Sequence, residues 1–495
     1  MASNKPDNIV GIGTVVSDVG NNYNEKEGTA DDRADMFRLG KVQELRRNFR
    51  FLSMFGFSMI LVASWETTLM VAAVGLTWAL VQNYRAPTTG GQYHWISEFA
   101  PRRFQKFISY LMGWLCVLGW QTGCAATAYF AGTQIQALLV LNHPSYVYEQ
   151  WHGTLLMIAV AAFGVLFNTL LARKLPLIEG IILVVHICAF IGIIVTLWVL
   201  APLSGPNVFT QFSDGGWHSL GGGSLAGITA GIAPLLGADA PVHMSEELRD
   251  AGKTLPRSMI WSTVVNGALG WVMVITLCFC LGNMDEILAS PTGYPYIQIF
   301  FNTTQSANGT TAMASILILM SIASNLTMIA TASRQLYAFA RDQAVPFSPW
   351  LSKVTGDLPI NSIFVTFITS SLLSLINIGS SSTLNSIVSL STSALMSSYI
   401  CSIGCVTWRR LTGNPLPKTQ FSLRKWALPI NVISEAFLIV MFALAFFPLS
   451  PDPDAASMNW SSLIYGAVIL FSMIYYIFQG RHRYVGPVEY VRTVD

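Results

Sequence analysis

Eleven stretches of this chain are apolar over close to twenty residues or more, and they fix its solvent before any motif is considered. A helix needs ~20 predominantly apolar residues to cross the hydrocarbon core of a bilayer. The stretches are 51–80, 107–140, 152–172, 176–200, 225–249, 258–281, 311–333, 361–378, 385–407, 427–447 and 461–479. In lipid every backbone N–H and C=O must bond within the protein, so segments of this length are helices. With 52% hydrophobic and 11% charged residues and a mean hydropathy of +0.50, the chain is too apolar for a soluble globule. The fold class is therefore an all-α polytopic membrane protein, embedded in the lipid bilayer. A formal charge of +2 leaves no acidic or basic excess for a nucleic-acid partner.

Three parts follow from the pattern. Residues 1–50 are polar and lack the apolar core of a secretory signal, so they are expected to form a disordered cytoplasmic tail; 51–479 form the transmembrane domain; 480–495 form a cytoplasmic carboxyl tail. Lys and Arg are retained on the cytoplasmic side. All 28 of them fall in the tail before 51, in the connections at 81–106, 173–174, 249–257, 334–353 and 409–425, and after 480. The alternate connections have none, which places both termini inside. Three Asn-x-Ser/Thr sequons, at Asn302, Asn308 and Asn459, fall in connections assigned outside.

The same charge pattern exposes a fault. Residues 1–50 and 81–106 both carry the cytoplasmic signature, yet a single apolar segment separates them, and an odd number of crossings cannot return to one side. Thirty residues make a helix of ~45 Å, enough for one long span and too short for two.

Polar interruptions mark two spans. In the fifth, Gly237-Ala238-Asp239-Ala240-Pro241 breaks an apolar run. Pro241 disfavours helix at the residue before it and Gly237 loosens the backbone, so two half-helices should flank an unwound stretch. Irregular backbone at membrane depth is tolerated where it lines a cavity or is buried in protein. Asp239 sits in that break, where an ionisable group points to a substrate or coupling role; the plainer reading is a cap on the second half-helix. In the first span Ala63-Ser64-Trp65-Glu66-Thr67-Thr68 forms a matching polar cluster. Glu66 could be balanced by an amine or a proton, or kept hydrogen-bonded by its Ser and Thr neighbours. Paired interrupted helices are the mark of an inverted-repeat transporter with substrate at the midplane, and the second break falls in the sixth helix only if one span is restored before 107.

Other polar groups are less specific. Trp120-Gln121 and Ser324-Asn325 could line a cavity or serve helix packing. His186 has no acidic neighbour in sequence and reads as a packing residue, while Glu179 and Glu435 read as snorkelling or pairing with Arg173, Lys174 or Lys425. The seven cysteines lie in apolar runs without metal-ligand companions, and no phosphate loop, zinc pair or nucleophile elbow is present, so neither enzyme chemistry nor a cofactor is expected.

Four motifs carry a resemblance: Pro87-Thr-Thr-Gly-Gly-Gln-Tyr-His-Trp95, Tyr110-Leu-Met-Gly-Trp-Leu-Cys-Val-Leu-Gly-Trp-Gln121, His243-Met-Ser-Glu-Glu-Leu-Arg-Asp-Ala-Gly-Lys-Thr-Leu-Pro-Arg257 and Ser333-Arg-Gln-Leu-Tyr-Ala-Phe-Ala-Arg-Asp-Gln-Ala-Val-Pro-Phe347. Together they resemble the fungal amino-acid/choline transporter family, which includes GABA and choline permeases, within the amino acid–polyamine–organocation superfamily. The resemblance implies a LeuT-like fold of two inverted five-helix repeats. It also implies a substrate held by the unwound parts of helices one and six, here Ala63, Ser64, Trp65 and Glu66, and Leu236, Gly237, Ala238 and Asp239, with cavity walls from the helices bearing Trp120 and Asn325. Members of the family have a complete second helix before the Thr-Gly-Gly-Gln-Tyr-His-Trp motif, whereas here Gly75 to Arg85 runs almost directly into it; a mis-joined exon, a splice form or a genuine deletion would each remove one span. The expected function is proton-driven, alternating-access import of a small solute at the plasma membrane, or at a vacuolar or other internal membrane. The solute is GABA, another amino acid, choline or a polyamine. The alternative is a degenerate, non-transporting member or a membrane sensor.

Overall fold

The computed structural model describes residues 26–71 except 27, 88–205, 236–283, 286–379 except 288, 383–414, 424–448, 452–454 and 458–490, with 217, 219, 221 and 416. Regular structure among them is helical, and ten helices are long and apolar enough to cross a membrane. Two stretches of interest, the apparent gap at 72–87 and the first half of the fifth apolar segment at 225–235, lie outside the described residues.

The chain opens with a short helix α1 (Ala30–Arg38), started by a capping box in which Thr29 and Asp32 bond reciprocally to each other's backbone. The first span is split into α2 (Phe51–Val62) and α3 (Ser64–Val71) by Ala63 in a left-handed conformation, φ 41 and ψ 49. After α4 (Gln92–Phe99) come α5 (Gln105–Asn142), α6 (Gln150–Leu170) and α7 (Leu175–Leu200). A single helical turn, α8 (Ala240–His243), precedes α9 (Ala251–Cys280), α10 (Pro295–Thr304), α11 (Ala307–Arg341), α12 (Ile360–Leu375), α13 (Thr383–Leu411), α14 (Ala427–Leu444) and α15 (Ser461–Tyr475).

At 38 residues α5 is ~57 Å long and overshoots a bilayer core. Small residues let its neighbours come close: a Cβ on Gly119 would lie 2.7 Å from Leu395 of α13, and one on Gly132 would lie 2.8 Å from the backbone of Met157 on α6. Without a hydrophobic drive between helices in lipid, such close approach is what holds a bundle together. Outer helices show the opposite face. Leu177, Ile181, Val184, Ile191, Val195 and Trp198 of α7 are exposed, while Glu179, Leu183, His186, Ala189, Ile193 and Leu197 are buried.

Two findings depart from the sequence reading, at the amino-terminal segment and after Pro241, and a third adds to it. From Gly28 onward the amino-terminal segment is packed rather than loose: Arg47 is buried, bonds to the carbonyls of Ser245 (3.2 Å) and Leu248, and lies 3.3 Å from Asp32. Phe49 forms a parallel β-bridge with Leu248, donating to Glu247 O at 2.9 Å and accepting from Arg249 N at 3.1 Å. Part of the carboxyl tail also docks, with Tyr484 buried against Ser109 and Tyr110. Finally, the expected second half-helix after Pro241 is one α-turn followed by a 3-10 turn at Ser245–Glu247.

Candidate functional site

A break in a membrane helix frees backbone groups that must find partners. At Ala63 they find them on two other helices. Ser324 of α11 donates to Leu61 O at 3.2 Å, and Asn266 of α9 adds a second donor at 3.3 Å to Met59 O, which already accepts from Ala63 N at 3.0 Å. Ser64 returns the contact, its hydroxyl 2.5 Å from Asn266 O. Thr67 donates to Ala63 O at 2.8 Å and Thr68 to Ser64 O at 2.7 Å. The Ser and Thr neighbours of Glu66 are thus occupied with backbone.

Glu66 has a different partner. Its Oε1 accepts from His186 Nδ1 of α7 at 2.6 Å, and the other imidazole nitrogen accepts from Trp65 Nε1 at 3.2 Å. An indole N–H only donates, so Nε2 of His186 carries the lone pair and Nδ1 the proton. His186 is therefore not a simple packing residue; the partner that sequence adjacency could not supply is 120 positions away.

The second break turns at Gly237, whose φ of +89° favours glycine. A Cβ there would lie 2.6 Å from Leu61 Cδ2 and 3.6 Å from Trp120 Cη2, so Gly237 is the point where both breaks and α5 meet. Ala238 follows in the same turn, half-buried. Asp239 occupies the N-cap position of α8 but makes no side-chain capping bond. Its two oxygens instead accept from Tyr399 O–H of α13 and Gln92 Nε2 of α4, stronger partners than the amides of a one-turn helix. Gly91 supplies the close approach on that side, with φ +60° and room for a Cβ denied by the His243 ring at 2.8 Å.

Trp120 Nε1, Gln92 Oε1 and His243 Nε2, buried around this cluster, have no hydrogen-bond partner among the described residues. His243 donates through Nδ1 to Thr89 O at 2.8 Å, so in the neutral ring its Nε2 is an acceptor. That nitrogen stands 3.5 Å from Asp239 Oδ2, with the Trp120 ring packed edge-on at 5.3 Å.

Not every expected site residue comes here. Asn325 turns away from both breaks, donating to Cys124 O at 3.0 Å and Thr127 Oγ1 at 2.9 Å of α5; its neighbour Ser324 is the one at the first break. Glu179 lies buried beside α2, without an ion pair to Arg173 or Lys174 among the described residues. Gln92, His243, Asn266 and Tyr399 are members of the site that sequence reasoning did not single out. Gln92 and His243 had a signal, since both fall in the motifs of the resemblance.

The end of the bundle that gathers the basic residues is sealed by ion pairs. Arg334 meets Glu247 at 2.8 Å, Arg341 meets Glu246 at 2.5 Å, and Lys41 meets Asp342 at 2.8 Å. Burial raises Glu246, but Arg341 and then Lys41 outweigh it and hold the carboxyl below its ordinary range.

Ten helices able to cross a membrane, with the break at Ala63 and the turn at Gly237 meeting at one buried polar cluster, form a multi-pass membrane protein, and its family is one of transporters, not of enzymes. A family model described as amino acid permease matches residues 52–474, so the chain belongs to the amino acid permease family and is a transporter of amino acids by family. It is similar to a putative amino acid/polyamine transporter of Macrophomina phaseolina, 29% identical over 438 residues covering 83% of this chain and 97% of the relative. An uncharacterized amino-acid permease of Schizosaccharomyces pombe is 27% identical over 503 residues, covering 94% and 90%. Amino-acid permease 2 of Neurospora crassa is 24% identical over 485 residues, covering 91% and 88%. The fission-yeast alignment is longer than the 495 residues of this chain, so it includes positions this chain lacks.

Proposed function

We propose that this chain imports a zwitterionic amino acid by alternating access, with a proton as the coupling ion, across the plasma membrane and with both termini inside. The observation that carries it is the meeting of Leu61, Gly237 and Trp120, which brings both helix breaks to one place. The unpartnered atoms there suit a zwitterion. An ammonium group can donate to His243 Nε2 and Asp239 Oδ2 together, because atoms 3.5 Å apart can share one donor nitrogen. Trp120 Nε1 is a donor and fits a carboxylate. Choline has no N–H to give and a polyamine no carboxylate, so GABA and α-amino acids fit this set better. In this reading Ala63, Ser64, Gly237 and Ala238 contribute backbone, and Trp120 and Asp239 side chains. Trp65 and Glu66 act one turn away through His186, and Asn325 fixes the wall formed by α5 and α11.

Radiolabelled uptake in a permease-deficient host tests it. Uptake of an amino acid that is blocked by other zwitterions, indifferent to choline and abolished by a protonophore is expected; choline uptake would overturn the substrate assignment. A second reading, a non-transporting member, is favoured by the odd number of crossings before 107 together with the positions this chain lacks relative to its fission-yeast relative. Surface expression without uptake of any of these solutes would decide for it.

A further inference from the structure

The threonine that starts α1 is also the point where the amino-terminal segment grips α9. Thr29 Oγ1 lies 2.8 Å from Asp250 Oδ1 and 3.0 Å from Asp32 Oδ2, and it accepts from Asp32 N at 3.3 Å. One hydroxyl proton therefore serves two carboxylates. Asp32 has a second task. Its Oδ2 accepts from Asp250 N at 3.0 Å and its Oδ1 from Ala251 N at 3.1 Å, so a residue of α1 satisfies amides at the start of α9. Asp250, the N-cap residue of α9, makes no capping bond with its own side chain.

The sequence marks the same threonine. It is followed by Ala30, Asp31 and Asp32, and no other Ser or Thr of the chain has an acidic residue three positions on. A protein kinase whose cleft is lined by Lys and Arg selects a hydroxyl by the carboxylates that follow it. Thr29 is half-buried while Ala30, Asp31, Arg33 and Ala34 are exposed, so a short peeling of α1 presents the run to such a cleft. In the docked segment the surroundings repel a phosphate. Three nearby cations are already committed: Arg47 to the carbonyls of Ser245 and Leu248, Arg33 to Gly28 O at 3.3 Å and Lys253 to Asp31 at 2.8 Å. The amino terminus of α1 offers roughly half a positive charge, against two whole carboxylates within hydrogen-bond distance.

We propose that Thr29 is a phosphorylation site and that its modification releases the amino-terminal segment from the start of α9; that a kinase and ATP meet it rests on the reading above that puts both termini inside. Thr29 Oγ1 attacks the γ-phosphorus of ATP. The new P–O bond forms as the bond from that phosphorus to the β–γ bridging oxygen breaks, ADP leaves, and the hydroxyl proton passes to the carboxylate base of the kinase. The product has lost the proton shared with Asp250 and carries about −1.5 to −2 charges at pH 7. Like charge then drives Asp32 and Asp250 away from it, and Asp32 lets go of the amides of Asp250 and Ala251.

The test takes the full chain in lipid nanodiscs, treats it with casein kinase II and ATP, maps phosphate by mass spectrometry and follows hydrogen–deuterium exchange at the amides of Asp250 and Ala251. Phosphate on Thr29 is expected, with exchange about 10- to 150-fold faster, the worth of one hydrogen bond to a charged group. A phosphatase should restore the slow rate. Thr29→Ser should respond like the parent, while Thr29→Val, with no hydroxyl to modify, should exchange faster from the outset and ignore the kinase. No phosphate on Thr29, an unchanged rate once Thr29 carries it, fast exchange that outlasts its removal, or a response in Thr29→Val overturns the proposal. Both faces of a nanodisc are open to the kinase, so these results do not depend on sidedness. A protease added to intact cells bearing an amino-terminal tag tests that separately. A cut tag would overturn the topology and with it the access of the kinase; an uncut tag with no phosphate on Thr29 sinks the phosphorylation site alone.

Discussion

His186 donates to Glu66 at 2.6 Å, tying α7 to the half-helix that follows the first break. Both side chains are buried, so neither can lose its partner cheaply. Removing the imidazole leaves a buried carboxyl oxygen without its donor, which costs about 1–3 kcal/mol. His186→Ala is therefore expected to lower the melting temperature of the purified protein and to cut uptake. Glu66→Gln/His186→Gln, which removes charge and keeps hydrogen bonds, should recover much of the melting temperature and little of the uptake. A double variant that transports normally would deny the pair a role beyond packing.

Asp239→Asn should impair uptake while surface abundance stays near the parent. Asn presents one acceptor where Asp presents two, and its amide faces the donating amide of Gln92. A loss of about 2–3 kcal/mol in transport, some 30- to 150-fold in initial rate, is expected for a buried polar atom left without its partner. Tyr399→Phe deletes one donor and should cost less, about 1 kcal/mol. Equal rates for Asp239→Asn and parent would remove Asp239 from the site.

Gly237→Ala meets two penalties at once. The left-handed backbone costs an L-residue roughly 1–2 kcal/mol, and the new methyl collides with Leu61. Reduced uptake is expected, and Leu61→Ala in the same chain should restore part of it by clearing the collision. No rescue would mean that Gly237 is required for its backbone alone.

Stability should fall as the medium is acidified below about pH 6.5, the ordinary histidine value. His94 on α4 is buried; that burial, followed by Lys41, Arg38 and Arg341, holds its pKa well below the usual range. The unfolded chain then binds a proton that the folded chain refuses, so stability is lost as pH falls through the unfolded value. Thermal melts from pH 7.5 to 5 should show a shallower decline in His94→Gln. A parallel decline in the two proteins would place the acid sensitivity elsewhere.

An apolar span of ~20 residues inserted between Leu76 and Pro87 should raise surface abundance and uptake, since it returns 81–106 to the basic side. A cysteine at exposed Arg103, in a Cys-free background, reports the topology, because Ser97 is buried. It is expected to resist impermeant thiol reagents in intact cells with the insertion present. Equal performance of the two chains would make the short connection a working adaptation.

The two breaks were legible because each has a local cause: a polar cluster at Ala63 to Thr68 and Gly and Pro around Asp239. What completes them was not. Asn266 and Tyr399 are ordinary amide and hydroxyl residues in long apolar helices, and only tertiary packing directs them to the Met59 carbonyl and to Asp239; Ser324 was read as a cavity or packing residue, without its bond to the Leu61 carbonyl. Glu179 misled for a related reason. Its sequence neighbours Arg173 and Lys174 suggested a pair, but one helical turn rotated it inward while they stayed outside. The packed stretch from Gly28 to Arg50 was hidden because its partners, Ser245 to Ala251, lie some two hundred residues on.

The bridge between Phe49 and Leu248 joins the strand of chain entering the first interrupted helix to the one leaving the second. Two levers hinged separately are thus yoked at their free ends, and a yoke removes a degree of freedom. The root of α2 and the turn at Ser245–Glu247 cannot slide past each other while its two backbone hydrogen bonds hold. In the alternating-access reading proposed above, any swing that opens this end must carry both together or first break those two bonds, so the few residues before 51 would help to set when it opens.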